Sequence, residues 1–270
     1  MSQYLKQDSE VIVTFTGGLG AQILSASIYF SLKANRHKVY ADLSYFEHPG
    51  NIAISGNKGE ISHWNYELDS YKLPLEEFET KKFKNSFFQL NKHIAISDGP
   101  EKLRLSIDAL RQSEIRKLFP IDSSIIAECQ QISGNNDYLC IHIRRGDYVN
   151  VASHLVEDMD FINLAKSISE FVPAVIVISD SEVSGVINEN LPQLFAHCSF
   201  VTGGNPHTAH ALIRRAKFLI CSNSQFSLSA ALLNQEAQQV FLPTQWFGDA
   251  DSAIQVPINA LCRFQILGKS

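Results

Sequence analysis

The regular alternation of strand-like and helix-like segments is the feature that most constrains the fold of this chain. From residue 137 onward, short apolar runs rich in Val, Ile and Leu alternate with segments of helical periodicity. Because parallel strands are joined by crossovers that are usually helices, this alternation predicts a parallel sheet covered by helices on both faces. The predicted strands are DYLCIHI, AVIVIS, CSFVT, KFLICS and QQVFLP, and the predicted helices are DFINLAKSISEF, residues 182–190, HTAHALIRRA and QFSLSAALLNQ.

A second strand–helix–strand unit near the N-terminus predicts a second domain. Residues 11–43 read as βαβ, whereas residues 48–63 are rich in Gly, Asn and Ser and the stretch to residue 120 is mixed. A chain of 270 residues is long enough for two such domains. We predict an α/β fold of two doubly wound, Rossmann-like domains: residues 1–130, residues 131–250, and a tail at 251–270 that packs back on the N-terminal domain.

Charge and cysteine usage exclude several classes of protein. The chain carries 23 Lys and Arg against 28 Asp and Glu, a net charge of -5, which argues against nucleic acid as the main partner. Five scattered cysteines without a CxxC pair predict reduced thiols. We find no signal-peptide pattern and no apolar run of the roughly 18 residues that a membrane span needs. A cytoplasmic protein is expected, with peripheral membrane association left open and no prediction of oligomeric state.

The segment CIHIRRGDY, residues 140–148, places two arginines at the end of a predicted strand. Ligands of open α/β sheets bind at the carboxyl ends of strands, where Arg144 or Arg145 could present a fork of N–H donors to a phosphate. Gly146 allows a tight turn, and Asp147 could bond to nearby N–H groups. An exposed arginine pair with a capping aspartate is the open alternative. His142, on the strand, is by default a hydrogen-bonded core residue.

Two further segments have the shape of anion-binding turns. TGGLGAQ places glycines between a strand and a helix, but Ile23 stands where a dinucleotide-binding motif has its third glycine. The glycines could equally serve only to let the chain turn and pack closely. Residues 222–225, SNSQ, precede a helix and could bind phosphate oxygens or cap that helix.

Metal binding finds little support in the sequence. Asp158, Met159 and Asp160 spell a DxD motif, but we interpret Asp160 as the N-cap of the following helix. The nine histidines show no HExxH spacing and no Cys/His ligand pattern. We therefore predict no metal site.

Taken together and in order, these segments resemble the alpha-1,2-fucosyltransferase family, the family 11 glycosyltransferases. HIRRGDY matches the most specific motif of that family, and TGGLGAQ resembles its GGLGNQ. The remaining similar segments are YELDSYKL, FFQLNK, SEIRKLF, ISDS, SNSQFSLSAALLN and LPTQWF. The chain is a divergent member by this resemblance, because it departs from the family pattern at Ala21, Ser181, Ala209, Leu228 and Ser229.

The resemblance implies a GT-B fold, with two Rossmann-like domains facing a cleft, and inverting transfer of fucose from GDP-fucose without an essential metal or cofactor. The acceptor would be a hydroxyl of a surface glycan such as lipopolysaccharide O-antigen, with an alpha-1,2 linkage. The catalytic candidates it implies are Arg145, Arg144 and Asp147, with Arg145 on the diphosphate. The donor-binding candidates are His142, Asp180, Asn223, Ser224, Gln225 and Ser227. The acceptor-side loop would comprise Gly17, Gly18, Gly20 and Gln22.

Three other functions stay open on the sequence. The departures at Ala209, Leu228 and Ser229 permit the same fold with a different nucleotide sugar. TGGLGAQ permits an NAD(P)-dependent oxidoreductase, which would be indifferent to loss of Arg145. A protein that binds a nucleotide sugar without catalysis is the third.

Overall fold

The computed structural model describes residues 10–47, 65–78, 93–96, 99–146, 156–243 and 264–267. The chain divides into two compact units, Met1–Pro120 and Ile121–Ser270. Each unit is described by itself below.

The first unit is a small parallel sheet with helices packed on it. Its strands run in the order β2-β1-β3, and both neighbours of β1 are parallel to it. Val11, Val13 and Phe15 are fully buried, and α1 packs against α3. The bounds are β1 Glu10–Thr14, α1 Leu19–Ala34, β2 Lys38–Asp42, α2 Ser44–Glu47, β3 His93–Ile96, α3 Pro100–Leu110 and α4 Ser113–Arg116, with a 3-10 helix at Asp69–Tyr71.

The second unit contains a six-stranded parallel sheet in the order β6-β5-β4-β7-β8-β9. This is the strand order of a Rossmann sheet. The chain adds β5 and β6 on one side of β4 and then returns to add β7, β8 and β9 on the other side, so the order reverses between β4 and β7. The helices and strands are α5 Ser123–Ser133, β4 Tyr138–Ile143, α6 Asp158–Ile168, β5 Ala174–Ser179, α7 Gly185–Leu194, β6 His197–Thr202, α8 Pro206–Arg215, β7 Phe218–Cys221, α9 Gln225–Leu233, β8 Gln239–Pro243 and β9 Phe264–Leu267.

Helices cover both faces of this sheet. Leu139, Ile141 and Ile143 point to the face packed by α6 and α7, where they share an apolar core with Phe161. Because side chains alternate along a strand, His142 points to the opposite face, towards α8 and α9. Complete burial of a side chain such as Phe161 contributes about 1.5–3 kcal/mol, so the central strand β4 is firmly anchored.

The predicted class, α/β with two Rossmann-like units, is confirmed. The predicted division at residues 130 and 131 falls inside α5, and the compact units divide ten residues earlier because α5 packs on α8 of the second unit. The tail was expected on the N-terminal domain, whereas β9 pairs with β8 in the second sheet. Helix α6 has Glu157 as its N-cap and begins at Asp158, so Asp160 lies within the helix and is not the cap.

Candidate functional site

The carboxyl ends of β4 and β7 are joined by a single buried serine. Ser222, directly after β7, accepts a hydrogen bond at Oγ from the N–H of Arg144 (2.8 Å) and donates one to the carbonyl of His142 (2.7 Å). Its own N–H donates to the same carbonyl at 3.1 Å. Since Ser222 is 2% exposed, these bonds are shielded from water and fix the start of the arginine segment to the neighbouring strand.

Asp180, which follows β5, folds the segment that comes after β4. Its Oδ1 accepts hydrogen bonds from the N–H groups of Arg145 (2.8 Å) and Gly146 (3.2 Å), and its Oδ2 lies 2.9 Å from Nη1 of Arg144. A Cβ atom on Gly146 would lie 2.5 Å from Oδ2 of Asp180. A side chain at this position would therefore displace the carboxylate of Asp180. We call residues 144–146 the arginine turn.

The guanidinium group of Arg145 is held by four contacts within the second unit. Nη2 pairs with the carboxylate of Asp158 and donates to the carbonyl of Val156 (3.2 Å), while Nη1 donates to the carbonyl of Arg144 (3.2 Å). The group also lies over the ring of Phe161, 5.9 Å from its centroid. The side chains of Arg145 and Arg144 are only 16% and 19% exposed, so their charges are screened less than surface charges are.

Two histidines and a phenylalanine form a buried aromatic cluster beside the arginine turn. The ring of Phe226 lies 5.5 Å from that of His142 and 5.3 Å from that of His210, whose Nε2 lies 3.0 Å from Oγ of Ser229. Burial and then the charge of Arg144 lower the pKa of His142 to about 3, and burial holds the pKa of His210 well below its usual range. Both rings are neutral at physiological pH, and Nδ1 of His142 has no hydrogen-bond partner within the described segments.

The four polar residues before α9 have different surroundings. Ser224 is the N-cap, and its Oγ accepts a hydrogen bond from the N–H two residues on. Oε1 of Gln225 is buried without a hydrogen-bond partner in the described structure, and Asn223 is 3% exposed. Ser227, one turn into the helix, is completely buried and donates to the carbonyls of Ser222 and Ser224. Ser227 was predicted to bind the donor, but its burial and these bonds give it a scaffold role.

The glycine turn belongs to the first unit, and Gln22 holds it in place. Gln22 is completely buried; its Nε2 donates to the carbonyls of Gly17 and Asn65, both at 2.8 Å, and its Oε1 accepts from the N–H of Glu67 at 2.8 Å. Gly17 has φ +68°, a left-handed conformation that favours glycine. The other two glycines predicted for this loop are Gly18, directly before α1, and Gly20, buried within it. The side chain of Gln22 therefore joins two loops.

Several predicted site residues thus lie close together at the ends of β4, β5 and β7: His142, Arg144, Arg145, Asp180, Asn223, Ser224 and Gln225. Asp147 lies outside the described residues. Sequence reasoning missed Ser222 as the link between strands and Asp158 as the partner of Arg145; the DxD motif was the available signal for Asp158. Within the described segments, no three His, Cys, Asp or Glu side chains are grouped to hold a metal ion, and no helix has the length and apolar character to cross a bilayer.

Comparison with known proteins adds a family and several structural similarities. The sequence model of glycosyl transferase family 11 matches residues 79–253, more than half of the chain. No curated protein matches. Among solved structures, POFUT1 in complex with GDP is 13% identical, with a TM-score of 0.46 over 88% of this chain and 98% of that chain. NodZ alpha-1,6-fucosyltransferase soaked with GDP-fucose is 16% identical, with a TM-score of 0.44 over 86% and 94%. E. coli ADP-heptose lps heptosyltransferase II is 11% identical, with a TM-score of 0.48 over 95% and 89%.

Proposed function

Because the chain belongs to glycosyl transferase family 11, we propose that it transfers fucose from GDP-fucose to a hydroxyl group of a glycan, with inversion at the anomeric carbon. The observation that carries this proposal is the arginine turn itself. Two weakly exposed guanidinium groups follow β4, beside its neighbour β7, where the strand order of the sheet reverses, which is the ligand-binding position of a Rossmann sheet.

The proposed reaction concentrates negative charge on a phosphate. The bond between C1 of fucose and the β-phosphate oxygen breaks, and its electron pair stays on that oxygen, so that GDP leaves. The acceptor oxygen forms the new bond to C1 from the opposite face, and its proton is released to solvent. Preorganised positive groups such as Arg144 and Arg145 stabilise charge that develops in this way, and loss of one such donor costs about 3 kcal/mol. Asp147 is retained as a candidate that orders the turn.

The residues around the arginine turn suit the nucleotide. In the part of the chain that the structure describes, His142 and Gln225 each hold a polar atom without a hydrogen-bond partner, and a ligand with hydrogen-bonding edges would satisfy both. The N–H groups at the start of α9, near Asn223 and Ser224, are placed at a helix N-terminus, which favours phosphate oxygens. The carboxylate of Asp180 was predicted to contact guanine or ribose; both of its oxygens contact the arginine turn, and we propose that it also orders this turn.

We propose that the first unit binds the acceptor. The turn of Gly17, Gly18 and Gly20, held by Gln22, would lie near the acceptor hydroxyl, which we propose belongs to a lipopolysaccharide O-antigen or capsule unit in an alpha-1,2 linkage.

Transfer assays with a panel of donors test the proposal. The full chain is incubated with GDP-fucose, other GDP-sugars, UDP-sugars or dTDP-sugars and a β-galactoside acceptor, and release of nucleotide and formation of product are followed by mass spectrometry. The proposal expects turnover with GDP-fucose that is at least about tenfold faster than with any other donor. Turnover with another nucleotide sugar only would replace the donor, and NAD(P)H oxidation that is indifferent to Arg145→Ala would replace the reaction class.

One observation favours a different nucleotide sugar as the second candidate. Ser229 departs from the family pattern, and it contacts His210, which packs on Phe226 beside His142. A change at Ser229 could therefore reach the nucleotide through three packed side chains, His210, Phe226 and His142. The donor panel decides between the two sugars.

A further inference from the structure

We propose that Asp158 is a positioning residue for the reaction: it aims the guanidinium group of Arg145 and offsets its charge, as Asp180 does for Arg144. This inference rests on the proposed function for its kinetic consequences. Asp158 lies in the first turn of α6 and is the first aspartate of the DxD motif. In this proposal, the first aspartate of the DxD motif binds an arginine side chain.

Geometry is the first part of the argument. An arginine side chain has several rotatable bonds, and they must be fixed before the donor arrives if the guanidinium group is to meet a phosphate in one geometry. Arg145 comes directly after Arg144 in an irregular turn, so the backbone alone does not fix its guanidinium group. Asp158 and the carbonyl of Val156 both contact Nη2, and the guanidinium group lies over the ring of Phe161, so α6 and the residues before it orient the group.

Charge is the second part. Among the described residues, Arg144 pairs with Asp180 and Arg145 pairs with Asp158, so these four side chains together are neutral. A neutral set binds an anionic nucleotide less tightly than two unpaired cations would. We infer that the carboxylates limit the affinity for the departing GDP, which carries more negative charge than GDP-fucose, while they keep the guanidinium groups in place.

This role has a kinetic signature that a purely structural role lacks. Asp158→Asn keeps the size of the side chain and removes its charge. Misdirection of Arg145 should lower kcat about tenfold to a hundredfold. The unpaired positive charge should at the same time tighten the binding of GDP by about two- to fivefold. If Asp158→Asn only impaired folding, kcat and the affinity for GDP would both decrease.

The chain offers a matched control in Asp160→Asn. Asp160 lies in the same first turn of α6, so its loss removes the same favourable charge from the helix N-terminus. No described ion pair joins Asp160 to an arginine of the turn. We expect kcat and GDP affinity within about twofold of wild type for this variant.

The experiment measures kcat with GDP-fucose, the Kd of GDP by calorimetry, and the NMR signals of the Arg145 guanidinium group in the absence of nucleotide, for wild type and both variants. The inference expects slow rotation of that guanidinium group in wild type and Asp160→Asn and fast rotation in Asp158→Asn, together with the opposed changes in kcat and Kd. The inference would be overturned if the guanidinium group of Arg145 rotated at the same rate in the two variants. It would also be overturned if Asp158→Asn lowered both kcat and the affinity for GDP. Should wild type neither bind GDP nor use GDP-fucose, the proposed function fails, and the rotation of Arg145 still decides whether Asp158 positions it.

Discussion

Removal of the Ser222 hydroxyl tests whether the arginine turn depends on the link between β4 and β7. In Ser222→Ala, the N–H of Arg144 loses its acceptor at 2.8 Å. The carbonyl of His142 loses one donor at 2.7 Å and keeps the backbone N–H of residue 222. The variant therefore removes the described acceptor of one backbone N–H and one of the two described donors to a carbonyl.

The cost follows from those two changes. An unsatisfied, largely buried N–H costs about 1–3 kcal/mol, and loss of one of two bonds at the carbonyl costs about 0.5–1.5 kcal/mol. We expect the free energy of unfolding to fall by about 2–4 kcal/mol. In a unit of 150–250 residues this lowers Tm by about 4–16 °C. Transfer activity should fall about tenfold or more, because Arg144 is no longer fixed to β7.

Calorimetry and urea unfolding of the full chain measure the effect on stability, with Ser167→Ala as the control. Ser167 lies on the exposed side of α6, and its described hydrogen bond goes to the carbonyl of Leu164 within its own helix. Its loss should change the free energy of unfolding by less than about 0.5 kcal/mol. Equal stability of the Ser222 and Ser167 variants would refute the reasoning.

Three further predictions concern the same turn. Gly146→Ala should displace the carboxylate of Asp180, because the new Cβ would lie 2.5 Å from its Oδ2. The rate of transfer should fall at least about tenfold. Unchanged kinetics would show that the close approach of Asp180 to residue 146 is not needed for activity. Arg145→Lys keeps the charge, but one ammonium group cannot keep the contacts with Asp158 and Val156 and also meet a phosphate, so most transfer activity should be lost. Near-normal turnover would argue against the role of Arg145 at the diphosphate. Burial lowers the pKa of His142 from its ordinary value of 6.5 to about 3 in the folded protein. The neutral ring is favoured by the fold, so the free energy of unfolding is highest above pH 6.5 and decreases as the pH falls from 6.5 towards 3. At pH 5 this loss amounts to about 2 kcal/mol of the free energy of unfolding. In urea unfolding, the free energy of unfolding of His142→Gln should therefore decrease less between about pH 7 and pH 5 than that of wild type.

Much of the fold could be predicted because hydrophobic patterns are local. Each predicted strand from DYLCIHI to QQVFLP is present, since buried parallel strands appear as continuous apolar runs. The order of the strands could not be read in this way. Whether β7 or β6 lies beside β4 depends on contacts between distant segments, and the β4–β7 pairing is what brings Ser222 to Arg144.

The candidate site could be predicted only in part, for a related reason. The motif around Arg144 and Arg145 was visible as a cluster of charges at a strand end. Its partners Asp158 and Asp180 lie 13 and 35 residues further along than Arg145, and only the folded sheet and α6 bring them to it. The expected N-cap role of Asp160 was wrong because helix α6 begins two residues earlier, which turns Asp158 towards the arginine.

Titration of GDP into the full chain and into Arg145→Ala tests most directly whether the arginine turn binds a nucleotide diphosphate. We predict saturable binding to wild type below millimolar GDP, and binding at least about tenfold weaker in the variant. No heat of binding at millimolar GDP, or equal affinity of the two proteins, would contradict the account.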